Sequence, residues 1–565
     1  MILFIRYIAL CFLVLCISIS KIYTQEYKIV KAPINTDYRI EVNDTNLNDK
    51  LGYKAPPFKI PKFKKALKSV VVLDYPAQYD LRKINYASPV RDQGELNTCW
   101  SFGVIGAIES YLLQNHKKRF DLSEENMATC HGFIWDKSKG GNFFIATSYL
   151  SSMKGPVLEE DDPYIFSNTS TCKVEKTDPA IYIKESYWIS KDNYNLKELL
   201  FNHGAIAVTM HYDDRFFLNS YNSYKCNDTL PENHIVLLVG WDDKKSTYFY
   251  SKNSSELDSG VWIARNSWGE SWGDSGYFYV SYKDSTFGKN GMIIPEVQNK
   301  DELNFDTLLY YDELGFLSSV GYSNEISGKQ INYKHAYGIT KFTVNKPQQI
   351  KMIGTYTLVP NTLITIEIYE SFNRRFAYNL LDSVKKATCK YAGYHTFKTN
   401  AIVEEDFYVK IKYTTPDFNY PIPVEMEIDD YANPDIEEEI SWISLNGSRW
   451  DTVGKNVSDA EYDLCIRAYA ENSYPIYKDV DDDLPVTIYP NPARDILNCE
   501  FRYITAEDVE IFIYNFYQKL IGSETYNQKY DNNSITFNIS ELPKGIYYLH
   551  IKSKEHTVVK KIIKM

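Results

Sequence analysis

Apolar residues recur along this chain with two different periods. From Trp100 to Asn115, the residues Val104, Ile105, Ile108, Tyr111 and Leu112 share one face of a 3.6-residue repeat, which predicts an amphipathic helix starting at Cys99. Ile235 to Trp241 is a continuous β-rich apolar run and reads as a buried strand with His234 at its start. A polar insertion, Asp242 to Ser259, separates it from the next strand, and an insertion in a surface loop costs little. From about 305 to 470 the pattern turns to short alternating segments at 349–356, 363–369, 407–413 and 424–428, with Pro, Asn and Gly between them. That is an all-β sandwich signal. Residues 485–565 alternate around Pro543-Lys544-Gly545 and predict a second, smaller β-sandwich.

Length then divides the chain. At 565 residues, and with about 150 residues per domain as a prior, three or four units are expected. Residues 1–24 carry one early arginine, a long apolar run from Tyr7 to Ile19 and then serines, which reads as a secretory signal; no other segment is expected to span a membrane. Residues 25–73 are rich in Lys and Pro without a long helical pattern, and read as a propeptide or a linker. Residues 471–484 form an acidic linker around Asp479 to Asp483. A calcium loop there would need Gly where Leu484 stands and Glu where Pro490 stands, so a solvated spacer is expected. A net charge of −12 argues against a nucleic-acid partner.

The chemistry is concentrated in Gln93-Gly94-Glu95-Leu96-Asn97-Thr98-Cys99-Trp100-Ser101-Phe102. A cysteine in the first turn of a helix meets the positive end of the helix dipole, which favours the nucleophilic thiolate. Downstream lie Asn233-His234-Ile235 and then Asn266-Ser267-Trp268-Gly269-Glu270-Ser271-Trp272-Gly273-Asp274-Ser275-Gly276-Tyr277. These three segments, in this order, resemble the papain-like cysteine peptidases.

The resemblance implies a two-lobed catalytic domain over 74–298, helical on one side and β-rich on the other, with Tyr75 to Arg82 similar to the start of mature members. It implies that Cys99 is the nucleophile, that His234 pairs with it and protonates the leaving amine, and that Asn266 orients the ring. By the same similarity Trp268 shields the Asn266 to His234 hydrogen bond, and the Gln93 side chain with the Cys99 N–H forms an oxyanion hole. Gly140 and Gly141 match the glycine pair that aligns extended substrate. The resemblance pairs Cys130 with Cys172, whereas Leu96 and Ser138 stand where a second bridge is usual. Of nine cysteines, Cys11 and Cys16 fall in the signal, Cys389 and Cys465 lie in the first β-sandwich and can pair, and Cys226 and Cys499 have no assigned partner. No Cys-x-x-Cys pair exists, so neither a metal nor a cofactor is expected.

Segments such as Tyr310-Tyr311-Asp312 and Ser441 to Gly447 are similar to the lectin-like domain of some bacterial members, which places that unit at 305–470. The motifs Ile488-Tyr489-Pro490-Asn491-Pro492, Leu542 to Tyr548 and Val558 to Lys564 resemble the C-terminal sorting domain of the type IX (Por) secretion system over 485–565. The fold class is therefore α+β: a papain-like two-lobe domain, an all-β sandwich and a small C-terminal β-sandwich. The function implied is that of a secreted, monomeric cysteine endopeptidase working through a thioester intermediate. It would sit outside a Gram-negative cell or on its surface, with protein or peptide substrates, the type IX machinery and a glycan on the β domain as partners. The alternative is a carbohydrate- or surface-binding protein on a catalytically silent scaffold.

Overall fold

Cys99 opens a helix that runs to Tyr111 and continues as one π-helical turn, Leu112–His116, closed by Lys117 in the left-handed conformation. The computed structural model describes residues 27–41, 51–59, 61, 75–169, 171–173, 179–192, 194–251, 254–299, 303–326, 328–472, 486–501, 508–515, 520–527, 534–552 and 557–565. The predicted signal, residues 62–74 at the end of the expected propeptide, and most of the acidic linker lie outside the described residues.

Five α-helices are described: α1 (Thr36–Glu41), α2 (Cys99–Tyr111), α3 (Glu124–Thr129), α4 (Phe143–Ser151) and α5 (Leu196–His203). Side-chain caps start three of them. Ser123 accepts from the Asn126 N–H, Asn142 from the Phe144 and Ile145 N–H groups, and Asn195 from the Lys197 N–H. Every residue of α2 from Cys99 to Ser110 is buried, so the helix is covered on all sides where the sequence predicted one apolar stripe. It lies between the strands Ile206–Met210 and His234–Ser251 on one side and α3 and α4 on the other. Gly103 and Gly106 permit this. A Cβ on Gly103 would stand 2.6 Å from Ile235 Cγ2, and one on Gly106 would stand 2.3 Å from Arg265 Nη2. Two side-chain deletions thus seat the cysteine-bearing helix against the histidine-bearing strand.

The polar insertion is not a loop. Strands His234–Ser251 and Ser254–Arg265 run on as a long antiparallel hairpin, in register from Ser246 opposite Ser259 to Ser251 opposite Ser254. Thr247-Tyr248-Phe249-Tyr250 has strong β preference, and its one apolar inward position, Phe249, is fully buried.

One compact unit holds residues up to 343, 351–399 and 406–470. Within it a single sheet passes from the catalytic region into the lectin-like region, where Ala392–Tyr394 pairs antiparallel with Ser186–Trp188. A six-stranded antiparallel sheet built on Thr362–Phe372, Asp406–Thr414 and His335–Thr343 forms one face of the β region. At the junction Arg467 and Asp312, both fully buried, form a salt bridge of 2.9 Å, and Arg467 Nη1 donates to Ser151 Oγ of α4 at 3.0 Å.

The second unit contains 344–350, 400–405 and the chain from 471. Its C-terminal part has a three-stranded sheet (Val486–Tyr489, Ile496–Phe501, Ser534–Asn538) and a four-stranded one (Asp508–Asn515, Leu520–Asn527, Gly545–Lys552, Thr557–Lys564). Cys499 lies in the apolar core they share, packed with Leu497, Ile511 and Phe537.

Cys130 and Cys172 form a disulfide. Cys389 and Cys465 do not pair, contrary to the expectation. Cys389 ends a strand of the six-stranded sheet opposite Thr362, whereas Cys465 follows a strand of a different sheet and its N–H donates to Pro423 O. Among the described residues Cys99, Cys226, Cys389, Cys465 and Cys499 are buried free thiols.

Candidate active site

The residues singled out by the motifs come from four segments, and the two-lobe arrangement draws them together. Cys99 begins α2, His234 begins its strand, Asn266 follows the strand ending at Arg265, and Gln93 precedes the nucleophile loop. All four are buried to within one per cent of full coverage.

The Ile235 N–H donates to Cys99 Sγ at 3.4 Å, so the strand carrying His234 touches the sulfur directly. His234 Nε2 and Asn266 Oδ1 are 2.8 Å apart. That oxygen also accepts from the Ser267 N–H at 2.9 Å, and an oxygen can only accept, so Nε2 carries the hydrogen. Nδ1 is then the basic nitrogen. It is buried and has no hydrogen-bond partner among the described residues. Trp268 lies over the imidazole with ring centroids 5.0 Å apart and an interplanar angle of 28°, which keeps water from that face of the His234 to Asn266 bond. Tyr212 and Trp272 each meet Trp268 edge-on and fix its plane.

Gln93 is held at both ends of its amide. Ser267 Oγ donates to Oε1, Nε2 donates to Leu96 O, and the Gln93 N–H donates to Ser267 O at 2.8 Å. Tyr164 was not flagged by any motif. Its hydroxyl donates to Gln93 O at 3.0 Å and lies 2.7 Å from Thr98 Oγ1, tying the glutamine to the residue before the nucleophile. Where a second disulfide is usual, Asn97 Nδ2 donates to Ser138 O at 2.6 Å and joins the same two loops.

The most consequential feature lies outside the motifs. The N-terminal segment crosses the site from Leu51 to Lys54. Gly141 N–H donates to Gly52 O at 2.9 Å, Lys54 N–H to Gly141 O at 3.0 Å and Tyr53 N–H to Asn233 O at 3.1 Å, a short parallel pairing on the Gly140-Gly141 edge. Both glycines are sterically required. A Cβ on Gly140 would stand 2.3 Å from Gly52 O, and one on Gly141 would strike the Trp100 ring. Gly52 itself is so close to the nucleophile loop that a Cβ would stand 2.1 Å from Asn97 O. Its backbone N–H is among the groups that pull the Cys99 thiol down against burial.

This cover sets the electrostatics. Burial pushes the Cys99 thiol up to about 12, against the pull of the Ile235, Gly52 and Trp100 N–H groups. Burial likewise takes His234 down to about 4, with the Asn266 hydrogen bond opposing. Both shifts favour the neutral forms of the two groups. The dipole argument for a thiolate at the helix start is therefore outweighed by desolvation in this state.

Among the described residues no group of three or more His, Cys, Asp or Glu side chains is arranged to hold a metal, and no helix is long and apolar enough to cross a membrane.

Comparison with known proteins finds the same three parts. Residues 75–294 match the papain family cysteine protease description, 308–470 the lectin like domain and 487–565 the secretion system C-terminal sorting domain. A viral cathepsin of Antheraea pernyi nuclear polyhedrosis virus is 30% identical over 236 residues, covering 40% of this chain and 68% of that protein. The viral cathepsin of Heliothis zea nuclear polyhedrosis virus is 32% identical over 211 residues, 36% of this chain and 52% of that one. The chain thus spans little more than half the length of some curated relatives. The crystal structure of the cysteine protease and lectin-like domains of Cwp84, a surface layer associated protein of Clostridium difficile, superposes with a TM-score of 0.65 at 20% identity. It covers 79% of this chain and 98% of that one, which shows a shared fold.

Proposed function

Because this chain belongs to the papain family of cysteine proteases, we propose that it is a cysteine endopeptidase whose N-terminal segment is an inhibitory prosegment. The observation that carries the reading is the hydrogen bond from His234 Nε2 to Asn266 Oδ1, beside a helix-start cysteine that touches the histidine strand. An imidazole fixed in this tautomer leaves Nδ1 as the basic nitrogen, without a hydrogen-bond partner among the described residues, on the strand that contacts the nucleophile.

In the proposed reaction Cys99 Sγ, as thiolate, attacks the carbonyl carbon of the scissile peptide. The oxyanion that forms is stabilised by the Cys99 N–H and the Gln93 amide. The C–N bond then breaks as His234 Nδ1 delivers its proton to the leaving amine, leaving an acyl thioester on Cys99. Water, giving a proton to His234, attacks the thioester; the acid departs and the thiol is restored.

The prosegment resists this chemistry because its backbone occupies the Gly140-Gly141 edge and packs against Asn97 O of the nucleophile loop, where an extended substrate would lie. It also removes the water that would solvate an ion pair of Cys99 and His234. Release of the prosegment is then the activating step, and cutting near residues 69–76 accomplishes it. The match of 487–565 to a secretion system C-terminal sorting domain supports export to the outside or surface of a Gram-negative cell.

The test is labelling by an irreversible peptidyl epoxide. Matured protein should take up one label at Cys99, the uncut chain far less and matured Cys99→Ala none. Matured protein that takes up no label and cleaves no peptide would sink the reading in favour of a silent scaffold.

A further inference from the structure

The prosegment does more than cross the cleft; most of its described length is held by the lectin-like domain. Lys28–Lys31 adds an antiparallel strand to that domain, with Lys28 opposite Ser323, Ile29 opposite Tyr322, Val30 opposite Gly321 and Lys31 opposite Val320. The Ala32 N–H extends the pairing by donating to Ser319 O at 2.8 Å. Further along, the Tyr38 hydroxyl donates to Asp429 O at 2.9 Å, and its ring stacks on Trp135 of the catalytic region while meeting Tyr431 of the β region edge-on. Phe58 is buried edge-on to Phe316 and Phe418 and beside Phe144. The described parts of the segment thus occupy a strand edge, two aromatic sockets and the Gly140-Gly141 edge, with Leu51–Lys54 at the nucleophile loop and Phe58 beyond it; together these form the track.

Three features say what the track would accept once empty. Removing Lys28–Lys31 leaves the main-chain groups along Val320–Ser323 without the partner that now covers them, and an open sheet edge binds an extended chain by strand addition. The sockets are apolar and aromatic. The rim is acidic: Glu427, Asp429 and Asp430 are exposed around a cavity of about 560 Å³ between the prosegment and the β region, and the resident segment is basic, with Lys31 also over the Tyr462 ring at 5.8 Å. The cavity shows that the resident side chains leave room for larger ones.

We propose that, after maturation, this vacated track is an exosite for the polypeptide substrate itself. An extended, lysine-bearing stretch with an aromatic anchor would add as a strand to Val320–Ser323, so that the lectin-like domain recognises peptide and holds the substrate chain near Cys99. The inference rests on the peptidase reading above, and its test separates the two.

The full chain, carrying an inserted site-specific protease sequence after Lys68, is cut and its prosegment removed. The probe is a synthetic peptide of residues 27–41, which contains the strand and Tyr38 but not Leu51–Lys54, the part that enters the cleft. On the exosite reading this peptide raises the apparent KM for a reduced, unfolded, lysine-rich protein substrate at least fivefold and leaves cleavage of a dipeptidyl fluorophore unchanged. The same peptide with Ile29→Pro and Val30→Pro loses the effect. Glu427→Lys with Asp429→Lys in the enzyme weakens it, again without change on the dipeptide. In matured Cys99→Ala protein, the fluorescent 27–41 peptide binds and is displaced by the unfolded protein. Equal effects on both substrates, no effect on either, or displacement by oligosaccharide and not by polypeptide would overturn the exosite while leaving the peptidase intact. Failure to cleave the dipeptide at all, with Cys99 unlabelled, would instead remove the peptidase reading, and with it the exosite.

Discussion

Gly52 illustrates why a single residue can govern the state of the whole site. Its missing side chain lets the backbone settle within reach of Cys99 Sγ, where any Cβ would overlap Asn97 O. Gly52→Val should lift the segment, and the uncut chain should then take up the epoxide at Cys99 at least tenfold faster than the parent. An unchanged rate would mean that the segment does not restrain the thiol. The same contact explains the acid–base state. With Cys99 raised to about 12 by burial, alkylation of the uncut chain should climb only in strong alkali, whereas release of the segment should bring the onset down toward neutrality. Gln93→Ala belongs to this scale too. On the proposed reading it should lower kcat about a hundredfold to a thousandfold with little change in KM, as expected of a donor that acts on the transition state. Cys99, His234, Asn266 and Gln93 were singled out because each sits in a motif of fixed local order, and the fold brings all four together. Gly52 and Tyr164 were not: their roles exist only through contacts with residues far along the chain, and nothing in their neighbours marks them.

At the scale of elements, the sequence periods located α2 and the main strands but misjudged their surroundings. The stripe of Val104, Ile105 and Ile108 correctly signalled a helix, yet the small residues Gly103, Gly106 and Ala107, which a pattern reading passes over, are what let it be buried all round. The insertion after Trp241 was read as a loop because its charges dominate the average, while the strand-forming Thr247 to Tyr250 decide its structure. The packing of α2 on the histidine strand makes a sharp prediction. Gly103→Ala places a methyl 2.6 Å from Ile235 Cγ2 and must displace one element against the other. A shift of about 1 Å can cost about a hundredfold in rate, so kcat should fall by that order while the fold survives. Ile235→Ala in the same chain removes the clashing methyl, and partial recovery of kcat would trace the loss to this contact. No recovery would place the cause elsewhere. The second-disulfide position was half legible. Leu96 and Ser138 announced a missing bridge, and the structure supplies the Asn97 Nδ2 to Ser138 O bond in its place.

At the scale of the molecule, the catalytic and lectin-like regions are joined by buried charge as well as by apolar packing. Arg467 reaches from the β region to Asp312 and to Ser151 of α4, with both ion-pair partners fully buried. Removing one member of such a pair strands the other, so Asp312→Ala should cost about 3–5 kcal/mol in urea unfolding of the matured protein. A loss under about 1 kcal/mol would show that the pair is solvated. Near it, Asp463 is buried, its Oδ2 accepts from the Glu437 N–H at 3.0 Å, and its Oδ1 has no hydrogen-bond partner among the described residues. Burial first, and then the charges of Asp312, Glu437 and Glu313, raise this carboxyl to about 7, against the Glu437 N–H. An acid whose pKa is higher folded than unfolded binds more protons in the native state between the two values. Its contribution to stability is therefore present below the unfolded value, near 3.8, and is lost as the pH rises through about 7. Unfolding free energy of the parent should accordingly fall between about pH 4 and pH 7, and Asp463→Asn, which is neutral throughout, should flatten that slope. An equal slope in parent and variant would assign the pH dependence to other groups, such as Glu425, which burial also raises and which accepts from the Glu313 N–H at 3.1 Å.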